Sequence, residues 1–268
     1  MHPLDGPRLK IRRAKSEIEE LKRLEDVFIN VSQYDIVRTE LNPKSGNNVY
    51  RVRTSSAPPS LEWGVHIGEI AHNLRSALDA LVYQLALLQT KTPALNTQFP
   101  IFLVGNTTRK QRGRRGLIPH FEGGERGCGH SMIRPLLPEH QALIERWQPY
   151  KRGRGGRNSS LYWLKEVNNA DKHRLIQVVA PRQRFGPIVS GWAANGVVRF
   201  DKSRFAILKD GAKFGEAPLH VRVNPKVIPL VAFWYGCEAV KGKGVCYTLN
   251  RIAEHVSEIV ESFAAEFD

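Results

Sequence analysis

Ser159-Ser-Leu-Tyr-Trp-Leu-Lys-Glu-Val-Asn-Asn-Ala-Asp-Lys-His-Arg-Leu-Ile-Gln-Val-Val-Ala180 contains the change of period on which the fold turns. As far as Ile176 the apolar positions recur at helical spacing; from Gln177 they recur every second residue or in short runs. Within the helical part, Leu161, Leu164, Asn168, Asp171 and Leu175 form a 3-4-3-4 stripe, all within about 80° of one another at 100° per residue. Asn168 and Asp171 therefore occupy positions where a helix core takes leucine. A buried amide and carboxylate cost on the order of several kcal/mol unless partners meet them, so the rest of the fold has to supply those partners.

N-terminal to this segment the chain reads as helices. An amphipathic helix over residues 7–31 carries Ile11, Ala14, Ile18, Leu21, Leu24 and Phe28 on one stripe. A second, from about Leu61 to Leu88, places Ile67, Ile70, Ala71, Leu74, Leu78, Leu81, Val82 and Leu85 on its apolar side. Its opposite side presents His72, Arg75, Ser76, Asp79 and Tyr83, a face rich in hydrogen-bonding groups and poor in the usual Lys/Glu solvation. Between these helices, Tyr34 to Leu41 and Val49 to Thr54 flank the turn-rich Asn42-Pro-Lys-Ser-Gly-Asn-Asn48, which predicts a hairpin. Gln98 to Phe102 reads as a short extended segment and Glu139 to Gln148 as a helix; Asn158, Ser159 or Ser160 can cap the next one.

Beyond Ile176 the short apolar runs are Gln177 to Ala180, Ile188 to Trp192, Gly196 to Phe200, Ala206 to Leu208, Leu219 to Val223 and Val227 to Tyr235. Glycine, proline and Asp-Gly turns separate them, as antiparallel strands require. Leu249, Ile252, Val256, Ile259, Val260, Phe263 and Phe267 then mark a C-terminal helix over 248–267. The expected class is α+β: a helical core of about four to five helices, with an antiparallel β-sheet in the C-terminal half. It forms a single domain over 1–268, with a basic loop region at 105–157 and a β-rich portion at 177–247.

The 268 residues, 41% hydrophobic and 25% charged, suffice for one large core. No run approaches about 18 apolar residues, and a charged segment follows the first six residues, so the expectation is a soluble, cytoplasmic protein with no membrane contact. Cys128, Cys237 and Cys246 are odd in number and irregularly spaced, which predicts reduced thiols. Cys128 and His130 with nearby His120 supply donors, but no CxxC pair completes a tetrahedral set, and no metal or cofactor is expected. There is no Gly-x-Ser-x-Gly elbow, Walker phosphate loop, His-Glu-x-x-His helix or GxGxxG after a strand, which disfavours nucleotide-dependent chemistry.

Net charge is +14, and residues 105–157 carry twelve Lys or Arg against four Glu, so more than half of the excess falls in about a fifth of the chain. Two glycine-studded runs concentrate it, containing Arg109, Lys110, Arg112, Arg114 and Arg115, then Lys151, Arg152, Arg154 and Arg157. Read as flexible loops, they can neutralise the phosphates of RNA or single-stranded DNA, with Trp147, Tyr150, Tyr162 and Trp163 close enough in sequence to stack on bases. The bland alternative is a solvated charged surface.

A second constellation joins the two polar helix faces: Asp171, Asn168 and His173 with Arg75, Asp79 and His72. Histidine and carboxylate suit acid-base work and arginine suits a developing negative charge, so one reading is a cleft between the helices. The other is an inter-helix brace, with Arg75 bound to Asp171 or Asp79.

The segments Gly68-Glu-Ile-Ala-His-Asn-Leu-Arg-Ser-Ala-Leu-Asp79 and Leu164-Lys-Glu-Val-Asn-Asn-Ala-Asp-Lys-His-Arg174 resemble an uncharacterised bacterial protein family that carries both. That resemblance implies a shared fold from the second helix to the C-terminal helix and no particular activity. Asn168-Asn-Ala-Asp-Lys-His173 is also similar to the Arg-polar-x-x-x-His motif of HEPN-type ribonucleases. In those, the Arg and His of two protomers form a metal-independent RNA-cleaving site. Asn169 and His173 match its polar and histidine positions, whereas Asn168 stands where that family has its arginine, so Arg75 or Arg174 would have to replace it. Three expectations result: a nucleic-acid or other polyanion binder, a HEPN-like ribonuclease, or an interaction protein that uses its N-terminal helix to meet a partner or form a homodimer.

Overall fold

The computed structural model describes residues 2–31, 34–55, 57, 59–106, 112–113, 116–117, 120–123, 127–173, 176–179, 199–200, 210–219 and 231–267. Among them helix and strand are mixed, in the order α1 (Asp5–Val31), β1 (Tyr34–Leu41), β2 (Asn48–Thr54), α2 (Glu62–Leu87), β3 (Arg112–Gly113), β4 (Gly116–Leu117), α3 (Gly129–Ile133) and α4 (Pro138–Arg146). A 3-10 turn (Pro149–Asn158) leads into α5 (Ser160–His173), followed by β5 (Gln177–Val179), β6 (Arg199–Phe200), β7 (Lys213–Ala217), β8 (Ala232–Tyr235) and α6 (Val245–Glu261).

The core is built around α2, which packs against α1, α5 and α6. Its Ile67, Ile70, Leu74, Leu78, Leu81, Val82 and Leu85 are fully buried, each contributing about 1.5–3 kcal/mol of apolar transfer. Helix α1 supplies Ile11, Ala14, Ile18 and Leu21 to the same core, so the stripe read as a partner surface is covered within the chain. Helix α6 seals the bundle with Leu249, Ile252, Val256, Ile259 and Val260, and Arg8 on α1 grips Glu261 through two hydrogen bonds of 2.9 and 2.6 Å. Ser159 caps α5: its hydroxyl accepts the Tyr162 amide at 3.2 Å and donates to the Gly156 carbonyl.

The predicted hairpin forms as the antiparallel pair β1–β2. It joins a four-stranded sheet ordered β1-β2-β7-β6, so two of those strands come from the N-terminal third of the chain. β5 and β8 pair separately. The predicted strands at 188–192 and 206–208 lie outside the described residues, as does all of that at 219–223 but Leu219. The short α3 and strand β7 were not anticipated. Among the described residues no helix is long and apolar enough to cross a membrane.

Glu216 on β7 fastens the hairpin turn. Its carboxylate accepts from Asn42 Nδ2 at 2.8 Å, from Ser45 Oγ at 3.1 Å and from the Lys213 ammonium. The Lys213 bond is the largest cause holding the Glu216 carboxyl down at about 2, with Asn42 and Ser45 adding to it against an upward push from burial. A carboxyl depressed in the folded chain stabilises above its unfolded value and loses that contribution as pH falls towards the folded one. Wild-type stability should therefore fall through the window from about pH 4.5 to about 2, and Glu216→Gln should flatten that part of the profile while lowering stability at pH 7. Denaturant titration of both proteins at pH 7, 4 and 3 measures it; parallel profiles would remove Glu216 from the account.

Candidate functional site

The segment Phe99 to Phe102 is buried in extended form between helices and belongs to no sheet. Its backbone polar groups need side-chain partners, because an unpaired buried amide or carbonyl costs about 1–3 kcal/mol. Asp79 Oδ1 accepts the Phe99 amide at 2.9 Å, and Arg75 Nη2 donates to the Phe99 carbonyl at 2.6 Å. Gln148, fully buried, donates to the Pro100 carbonyl at 2.7 Å and accepts the Phe102 amide at 3.1 Å. Lys165 on α5 donates to the Ile101 carbonyl at 3.0 Å, and the Tyr150 amide donates to the Phe102 carbonyl.

This arrangement explains the polar face of α2. Arg75 pairs with Asp79 one turn along the same helix at 2.9 Å, and together they hold a chain segment; neither reaches Asp171. Of the two partners expected for Arg75, Asp171 and Asp79, it takes Asp79, since both α2 side chains are recruited by Phe99. Gln148 and Lys165 were missed in the sequence. The signal for them was Gln98-Phe-Pro-Ile-Phe102, an apolar run too short and proline-broken for an interior strand, whose buried carbonyls had to be answered by long polar side chains.

The remaining members of the constellation fall into two clefts. The first, with a cavity volume of about 430 Å³, is lined by Glu17 on α1, Gly68, Glu69 and His72 on α2, and Asp171 on α5. Asp171 is exposed there instead of sealed in the core: the last turn of α5 crosses α2 at Gly68, and a Cβ at that position would overlap the Asp171 carboxylate. The second cleft, about 180 Å³, is lined by Arg75, Gln98, Phe99, Phe102, Met132, Lys165, Asn168, Asn169 and Lys172. Asn168 is buried, 4% exposed, as its leucine-like position implied, and among the described residues its Oδ1 meets no donor. His173 is exposed and lines neither cleft, while Arg174 and Leu175 lie outside the described residues. His72 and Asp171 therefore share one cleft, Arg75 and Asn168 the other.

Burial pushes the Lys165 ammonium below the ordinary lysine range; Glu166 pulls it back and the charge of Arg75 adds to the lowering. Its nitrogen stands over the Phe102 ring, 5.3 Å from the centroid.

The second basic run is a formed surface. Pro149–Asn158 makes two 3-10 turns broken at Gly153, whose φ of 54° suits glycine. Lys151 is tied to Glu145, whereas Arg152, Arg154 and Arg157 are exposed and, among the described residues, lie within ion-pair distance of no carboxylate. Trp147, just before the turn, packs on His255 of α6, which sets the turn beside that helix; burial lowers the His255 pKa against the pull of Glu258, and the charges of Arg152 and Arg251 add to that lowering. Exposed Arg251, with exposed Tyr247 one helical turn before it, extends the basic surface in a way the sequence did not reveal. Three of the four expected stacking aromatics are engaged elsewhere: Trp163 is buried, Trp147 packs edge-on against His255 at 5.2 Å, and Tyr150 donates to Glu145 at 2.7 Å; Tyr162 is half-buried on α5. Gly156 serves packing, since a Cβ there would sit 2.6 Å from the Pro149 carbonyl oxygen. In the first run, Arg109, Lys110, Arg114 and Arg115 lie outside the described residues, and Arg112 is placed in β3 by its backbone alone.

No protein-family model, curated protein or solved structure matches this chain. Among the described residues no three His, Cys, Asp or Glu side chains are grouped to hold a metal ion; Cys128 and His120 meet as a pair, Sγ to Nε2 3.6 Å.

Two outcomes test this geometry. Gln148→Met, which strands the Pro100 carbonyl and the Phe102 amide, should cost about 2–4 kcal/mol in urea denaturation, and a loss below about 1 kcal/mol would mean that water replaces the glutamine. Gly68→Ala should destabilise by about 1–2 kcal/mol through overpacking against Asp171. In an Asp171→Ala background the same change should become neutral or stabilising by up to about 1 kcal/mol, the ordinary helix preference for alanine; additivity of the two substitutions would rule the contact out.

Proposed function

We propose that this protein binds single-stranded nucleic acid, RNA or DNA, through the basic surface formed by Arg152, Arg154 and Arg157 with Arg251 of α6. One observation carries the reading: these arginines stand exposed on a formed turn and a helix without carboxylate partners among the described residues, and the turn belongs to the stretch 105–157 that holds most of the chain's excess positive charge. Arginines placed for structure are matched by carboxylates or carbonyls, as Arg75 is; unmatched arginines clustered across two elements suit a phosphate backbone. Arg154 and Arg157, three residues apart in a 3-10 turn, eclipse one another and present two forks on one edge. With the tryptophans buried or packed, recognition is by charge and insensitive to base sequence.

The ribonuclease reading finds less support, because Arg75 is committed to Asp79 and Phe99 while His173 stands apart from both clefts. Nor does an N-terminal docking helix gain from the geometry, since the apolar stripe of α1 is buried.

Binding of uniform-sequence RNA and DNA 20-mers, followed by fluorescence anisotropy between low and high salt, should show a steep linear fall of log affinity against log salt. Each phosphate contact on a single strand adds about 0.7 to that slope, so Arg152→Gln/Arg154→Gln/Arg157→Gln should reduce it by about 2. Salt-insensitive binding, or a triple variant with the wild-type slope, would defeat the proposal.

A further inference from the structure

The cleft between α2, α5 and the Gln98 to Phe102 segment is not needed for the basic surface, and its lining is chemically one-sided. Arg75, already paired with Asp79, and Lys165 and Lys172 contribute three cations, while among the described residues no Asp or Glu lines it. Lys165 has no carboxylate within ion-pair distance among the described residues, and its single bond to the Ile101 carbonyl leaves two ammonium protons unassigned. Arg75 uses Nε and Nη2 on Asp79 and Phe99, which leaves the Nη1 donors. Nearby cations with donors to spare, partly withdrawn from water, are a costly arrangement for an empty site and a favourable one for an anion.

Asn168 supplies the second observation. Its side chain lines the cleft, is buried, and has an Oδ1 without a donor among the described residues. An unpaired buried carbonyl oxygen in the interior of a helix asks for an O–H or N–H from an occupant, which a bare carboxylate or sulfate lacks. The exposed Asn169 and Lys172 at the rim add donors for outer atoms. At about 180 Å³ the cleft is well below the roughly 300–1,000 Å³ of drug-sized sites, which suits a phosphate group with a few attached atoms and excludes a whole nucleotide.

We infer that this cleft is a binding site for a small hydroxyl-bearing phosphate: inorganic phosphate or the monoester of a short polyol. The phosphate oxygens accept from Lys165, Arg75 Nη1 and Lys172, and a hydroxyl donates to Asn168 Oδ1. The phosphate group lies against cations that otherwise repel one another, so binding raises the affinity of Lys165 for its proton and tightens the hold of α5 on the Phe99 to Phe102 segment. The site is independent of the nucleic-acid surface.

Thermal unfolding and titration calorimetry at fixed ionic strength, with inorganic phosphate, glycerol 3-phosphate and sulfate as probes, test it. Both phosphates should raise the melting temperature in a saturable manner and sulfate should act at least several-fold more weakly. Lys172→Gln, at an exposed position, should weaken phosphate binding severalfold without altering the fold. Asn168→Leu should raise the melting temperature of the free protein, because it restores an apolar stripe, and should remove most of the phosphate response. The Arg152→Gln/Arg154→Gln/Arg157→Gln variant should retain that response while losing nucleic-acid binding. An absent phosphate response, an equal response to sulfate, or a response that disappears with the three arginines and survives Asn168→Leu and Lys172→Gln would each overturn the assignment.

Discussion

Much of the helical arrangement answers one constraint: the chain from Phe99 to Phe102 runs buried and extended, without a neighbouring strand to satisfy its backbone. Four side chains from three regions meet that demand, Arg75 and Asp79 from α2, Gln148 beyond α4 and Lys165 from α5. Because each must arrive at a fixed carbonyl or amide, they set the relative positions of α2, α4 and α5 more narrowly than apolar packing alone would. Apolar burial supplies the energy and accepts many registers; hydrogen bonds to a buried backbone accept few.

Most of this architecture could be read from the sequence where a pattern is local and repeated. The stripes of α1, α2 and α6 and the β1–β2 hairpin appear nearly as periodicity places them, because each is an element whose own residues decide its shape. The burial of Asn168 was legible for the same reason. The exposure of Asp171, one turn later, was not, since it depends on Gly68 of another helix leaving room at the crossing. Strand β7 escaped notice because five residues interrupted by Gly215 carry too little alternation, and its partner β2 lies far off in sequence. The Arg/Gly run 151–157 reads as a loop by composition, yet Pro149, the close approach at Gly156 and the Ser159 cap shape it into turns.

The polar residues of α2 and α5 separate by what surrounds them. Arg75 keeps its Nη1 donors, while Asp79 and Gln148 have their hydrogen-bonding capacity largely consumed, Gln148 by backbone and Asp79 by backbone and Arg75, which identifies those two as architecture. Asn168 does not, and Lys165 only in part, and those residues border the second cleft. Among the described residues Arg152, Arg154 and Arg157 have no such commitments. Whether a group's bonding capacity is already used separates brace from candidate site better than residue type does, and that property emerges only when distant segments meet.

Arg8 to Glu261 and the packing of α6 on α1 and α2 also bear on how the chain is made. Helices α1, α2 and α5 leave the ribosome first, with one flank of their shared apolar core still awaiting a helix encoded after residue 244. At about 5–20 residues per second, that flank stays uncovered for several seconds after α5 emerges. In that interval the exposed apolar flank is open to non-native association, and stalling or truncation before α6 would leave the bundle unfinished.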